Sequence, residues 1–191
     1  LCRIIDGRWR LPVMFEAVGN DAVVDLAAAK EQRLVHLVAV KREVSGRGGS
    51  STLIDRAKLD YRPTPKQRST LELLKYLSTM GPMMIRYALA KDGAFDRDGW
   101  TKVAQAAEAR NFDQTLAAIA AHADEYATLL ANVTDADFRS EMTTFDGGKT
   151  TRAAFIINLV LCGCAAYRTQ LFLYLKACGL HHLTTMNLWG G

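Results

Sequence analysis

Between Arg152 and Arg168 the chain runs for fifteen residues, Ala153 to Tyr167, without a charge. That run falls short of the roughly twenty apolar residues that a helix needs to cross a bilayer. It reads instead as a helix apolar on all sides, the central and most buried element of a protein core. Thr150 or Thr151 stands where its first backbone N–H groups need a side-chain acceptor, Lys176 lies in its last turn, and Gly179 follows Cys178 where helices end. The rest of the chain has to pack around it.

The surrounding segments are helical too. Asp21 to Val44 sets Val24, Leu34, Leu37, Val38 and Val40 among Lys30, Glu31, Arg33, Lys41 and Arg42, an amphipathic pattern. A glycine–serine breaker, Ser45 to Thr52, follows, and Pro63 and Pro65 delay the next helix to Pro65. That helix reaches Ala90, with Leu73, Tyr76, Leu77 and Met80 on one face and a kink or break expected at Gly81-Pro82. Trp100 to Ala109 forms a short helix, and Asn111 caps a longer one whose stripe is Phe112, Leu116, Ile119, Ala123, Tyr126 and Leu130. Thr134 starts a small capped turn, and Phe145 to Lys149 makes a tight turn before the uncharged helix. No strand alternation is visible. The expected fold is all-α, an antiparallel four-helix bundle with short extra helices over residues 21–191. Residues 1–20 lack periodicity and are expected to be a poorly ordered extension, with Met14 as a native start and no signal peptide in residues 1–13.

Charge and cysteine content narrow the setting. Residues 1–68 hold thirteen Lys and Arg against eight Asp and Glu, and the remainder is nearly balanced, so the bundle itself is not basic. No face of clustered Lys and Arg with interleaved aromatics appears, and no nucleic-acid partner is expected. Cys2, Cys162, Cys164 and Cys178 form no CxxC pair and read as reduced thiols of a cytoplasmic protein. Cys162 and Cys164 diverge by about 200 degrees around a helix and cannot share a metal. His36 and His122 flank apolar stripes on different helices and are expected at the surface or its boundary, and His181-His182 fall in a loop. No phosphate loop, HExxH, dinucleotide fingerprint, nucleophile elbow or carboxylate pair is present.

Three stretches carry a family resemblance: Asp60-Tyr61-Arg62-Pro63-Thr64-Pro65 followed by Arg68 to Leu74; Tyr167-Arg168-Thr169-Gln170-Leu171 with Tyr174-Leu175-Lys176; and the ending Asn187-Leu188-Trp189-Gly190-Gly191. Over residues 53–191 the chain resembles the DinB/YfiT-like superfamily, four-helix bundles in which many members place one histidine in the second helix and an HxxxHRxQ pattern in the fourth. The resemblance implies a divalent metal such as zinc or nickel held by three histidines. Aligned on Arg168 and Gln170, however, the ligand positions fall on Gly163 and Tyr167, and the third falls on Tyr76. Glycine has no donor atom, and a phenol with a pKa of about 10 is neutral at pH 7 and a poor ligand. No cofactor is therefore expected.

Two readings of these positions follow. In one, the space at Gly163 admits the rings of Tyr76 and Tyr167 as an aromatic plug, with Asn158, Gln170 or a water satisfying the hydroxyls. In the other, the phenols and the nearby Arg168 line a small anion-binding or acid/base site. The expected role is non-catalytic, a small-molecule-binding or scaffold bundle, with a homodimer as the resemblance implies and no membrane association. The alternative is a metal- or thiol-dependent transferase or hydrolase drawing on His36, His122 or Cys164.

Overall fold

The structure, a computed structural model, describes residues 54–189 together with the backbone of two short strands, Arg3–Ile5 (β1) and Arg8–Arg10 (β2). These strands pair antiparallel with Ile4 opposite Trp9. The helix expected over 21–44, the breaker at 45–52, Met14, Cys2 and His36 lie outside the described residues, as does the rest of the 1–20 extension.

Helix α1, Thr70–Leu89, is set by its first turn. Ser69 Oγ accepts from the Glu72 backbone N–H at 3.2 Å, and the Glu72 carboxylate accepts from the Ser69 N–H at 2.7 Å. This reciprocal capping box satisfies two donors that a helix start leaves open. It moves the start five residues past the expected Pro65. Of the kink or break expected at Gly81-Pro82 no break occurs, and α1 runs through both residues. Proline has no N–H to give the carbonyl four residues back, here that of Ser78. The His122 ring fills the gap, its Nε2 standing 3.2 Å from Ser78 O. Because a carbonyl only accepts, Nε2 must carry the proton.

Helices α2 (Arg97–Glu108), α3 (Phe112–Ala120), α4 (His122–Leu130) and α5 (Asp135–Arg139) follow. Asn111 caps α3 as expected, its side chain accepting from Gln114 N at 2.9 Å. The single helix expected across 112–130 is interrupted at Ala121, and its buried line is Phe112, Thr115, Ile119, His122, Tyr126 and Leu130. Thr115 and His122 thus take places that an apolar-only reading gave to Leu116 and Ala123, which are half-buried. His122, expected at the boundary, is 1% exposed. Its burial is tolerable because the ring bonds a carbonyl that would otherwise be orphaned.

Strands β3 (Glu141–Thr143) and β4 (Lys149–Thr151) form an antiparallel hairpin, with Met142 opposite Thr150. The expected tight turn joins them, and Gly147, at φ 78°, takes the left-handed conformation that the turn requires. At three residues each, these strands are too short to show alternation. Helix α6 then runs from Arg152 to Ala177, with a π-helical stretch at Ile157–Cys162 between α-helical ends, and α7 (Thr185–Trp189) closes the described chain. Thr151 Oγ1 caps α6 by accepting from Ala154 N at 3.2 Å.

Most of the described residues are helical, and the core gathers around α1, which packs against α2, α3, α4 and α6. Fourteen of the twenty residues of α1 are buried. Helix α6, which carries the uncharged run, is not the most buried element: Asn158, Cys162, Ala166, Leu173 and Ala177 line an exposed face, with Leu173 58% exposed. Absence of charge does not demand burial when much of any protein surface is apolar. At 26 residues α6 has the extent that its caps predicted, and by length and composition alone it could cross a membrane. Core helices meet the same test, and α6 packs along α1.

Candidate functional site

Helices α1 and α6 run antiparallel, as four contacts along them show. At one end Arg152 Nη1 donates to the carbonyls of Ala88 and Ala90. Next, a Cβ built on Gly163 would lie 3.4 Å from Met80 Cε. One turn further the rings of Tyr76 and Tyr167 meet edge to face, with centroids 5.3 Å apart and planes at 68°. At the far end the Tyr174 hydroxyl donates to Arg68 O at 3.0 Å. Tyr76 and Met80 are four apart on α1, Gly163 and Tyr167 four apart on α6, so each pair lies on one helix face.

The structure therefore brings Tyr76 and Tyr167 into contact and sets Gly163 against the same stretch of α1. Both tyrosines are half-buried. Burial, with the Tyr167 hydroxyl alongside, pushes the Tyr76 phenol up to about 12, while Arg68 pulls weakly the other way. Cys164, buried one turn before Arg168, adds slightly to the upward shift.

The remaining candidates are placed differently. Arg168 is buried, 6% exposed. The guanidinium of Arg68 lies over Tyr76, its Cζ 4.1 Å from the ring centroid. Gln170 Nε2 donates to the Tyr174 hydroxyl at 2.6 Å, so its amide serves a neighbouring phenol rather than the pair. Asn158 is exposed. Tyr174 also meets Tyr61 edge to face at 5.5 Å. The result is a band of four tyrosines along the α1–α6 seam, with Arg68 bridging its two halves: its side chain covers Tyr76 and its carbonyl receives Tyr174.

Arg68 was the residue that sequence reasoning missed. The signal available was its position directly before the Ser69-to-Glu72 capping box, which puts it at the mouth of the helix that carries Tyr76.

Among the described residues no three His, Cys, Asp or Glu side chains come together. A shallow dip of ≈ 350 Å³, lined by Ala106, Ala109, Arg110 and Gln114, belongs to α2 and α3 and not to the tyrosine band. His181 and His182 are exposed, as expected for a loop beyond α6.

Fold and seam together define a class: a predominantly helical protein whose first and last long described helices are joined by aromatic contacts. Within that class the chain has a DinB-like fold. It is similar to the crystal structure of YjoA, a DinB-like protein from Bacillus subtilis, with a TM-score of 0.57 over 82% of this chain and 91% of that one. The two sequences are 16% identical, so the likeness is one of fold. No protein-family model matches the sequence, and no curated protein matches it.

Proposed function

We propose that the chain is an antiparallel four-helix bundle of the DinB-like type in which a closed tyrosine pair stands in place of a three-histidine metal site. Its role on this reading is non-catalytic, as a small-molecule-binding or scaffold protein. Helices α1, α3 with α4, and α6 supply three of the four long elements, and the amphipathic segment 21–44 is the expected fourth. The observation that carries the reading is the contact between Tyr76 and Tyr167, residues from different helices that both align to ligand positions.

The donor set at these positions does not fit a divalent metal. Gly163 offers no atom. The Tyr76 phenol, at about 12, is protonated at neutral pH, and zinc or nickel would have to displace that proton from a desolvated site. The enzyme alternative would draw on His122, Cys164 or His36. His122 is engaged with the Ser78 carbonyl and Cys164 is 4% exposed, which disfavours both as reacting groups.

Elemental analysis of the purified full chain tests this reading. It should carry far less than one equivalent of zinc, nickel, iron or manganese, and one equivalent of any of them would overturn it.

A further inference from the structure

Several arginines of this molecule already have polar partners. Arg56 pairs with Asp113 at 2.5 Å, Arg62 with Glu72 at 3.0 Å and Arg86 with Glu125 at 2.7 Å, and Arg110 donates to Ser78 Oγ at 2.8 Å. Arg68 differs. Its side chain is exposed and lies over the Tyr76 ring, and among the described residues no carboxylate stands within ion-pair distance of it. The carboxylate whose field it shares, Glu72, is already held by the Ser69 N–H and by Arg62.

A guanidinium laid against an aromatic face keeps its charge and its N–H donors, and loses the side-chain freedom that a mobile arginine must give up on binding. Beneath it stands the half-buried Tyr76, with the half-buried Tyr167 ring edge to face against it. Burial keeps the Tyr76 hydroxyl protonated, a hydrogen-bond donor rather than a second anion, throughout the neutral range. A fixed cation with neutral hydroxyl donors next to it matches a carboxylate or phosphate group, for which charge-assisted bonds from guanidinium are the strong ones. An organic cation is disfavoured, because Arg68 already covers the ring face that would attract it.

We infer that Arg68, Tyr76 and Tyr167 form an oxyanion-binding site on the α1–α6 seam, suited to the carboxylate or phosphate group of a small molecule. The inference rests on the proposed non-metal reading of the seam and names the ligand class that such a seam would take.

Titration of the full chain with acetate and with inorganic phosphate, at constant ionic strength, tests it through the arginine Nε–H signals in ¹H–¹⁵N spectra. Saturable shifts are expected at Arg68, and the tighter of the two anions identifies the group preferred. Arg68→Gln should weaken binding about tenfold, and Arg68→Lys should restore only part of the loss because a point charge lacks the planar fork. Tyr76→Phe should weaken it several-fold while leaving the stacked guanidinium in place. Lys102→Gln, which removes an exposed cation on α2 away from the site, should leave the affinity unchanged. Shifts that never saturate, or that persist in Arg68→Gln, would overturn the site. Ring-to-ring nuclear Overhauser effects between Tyr76 and Tyr167, recorded on the same sample, separate the two levels. If they are present and no anion saturates, the oxyanion site fails alone; stoichiometric zinc in that sample would remove the reading beneath it.

Discussion

Tyr76 shows how one side chain reports on the seam. Its phenol is pushed up to about 12 by burial, against an ordinary 10.0. Between those values the unfolded chain releases this proton first, so unfolding is favoured progressively as pH rises. The contribution is fully present below pH 10.0 and is lost as pH climbs towards about 12. Tyr76→Phe removes the titration. Urea unfolding of wild type and variant at about pH 9 and about pH 11 should show the wild type losing stability relative to the variant at the higher pH. Equal losses in both proteins would mean that the phenol is solvated and the ring contact is not maintained. The tyrosine contact was legible as two aligned positions, whereas the cation over Tyr76 was not. Arg68 lies over the Tyr76 ring from just ahead of α1, a proximity that only the fold displays.

The helices were largely readable from periodicity and caps, and the departures share a physical origin in partners distant along the chain. Ser69 and Glu72 are a local signature, so the true start of α1 was available to a reader who weighed the capping box above the prolines. Pro82 was different: whether it breaks a helix depends on what becomes of the Ser78 carbonyl, and the answer comes from His122 on α4. This coupling can be measured. His122→Phe should cost about 1–3 kcal/mol by leaving a buried carbonyl unsatisfied. In a Pro82→Ala background the new backbone N–H can serve that carbonyl, and the same change should cost distinctly less. A double-mutant cycle should therefore show a coupling of about 1 kcal/mol, whereas strict additivity would assign His122 a role unrelated to the proline. The strands were hidden for a simpler reason, since three residues give no period to detect.

At the scale of the whole molecule, helical class and the antiparallel placement of α1 against α6 follow from patterns visible in the sequence, whereas the ranking of burial does not. Composition made α6 the centre; packing gave that place to α1, because α6 keeps one uncharged face outward. Two substitutions two residues apart on α6 separate these views. Leu171 is 0% exposed and Leu173 is 58% exposed. Leu171→Asp buries an unpaired charge and should prevent folding, while Leu173→Asp should change stability by no more than about 0.5 kcal/mol. Circular dichroism melts decide the matter, and equal damage from both would mean that the outer face of α6 is covered in solution.

The most direct test of the seam is a calorimetric zinc titration of the wild type beside the triple variant Tyr76→His, Gly163→His, Tyr167→His. Histidines four apart on α6, faced by a third from α1, place three nitrogen donors where the aligned positions converge, a workable set for zinc. At Gly163 the near neighbour of a new side chain is the flexible end of Met80, which can move aside. The wild type should show no stoichiometric zinc binding and the triple variant one site of micromolar or better affinity. Tight binding of one zinc by the wild type, or none by a folded triple variant, would contradict the assignment of Tyr76, Gly163 and Tyr167 to a vacated metal site.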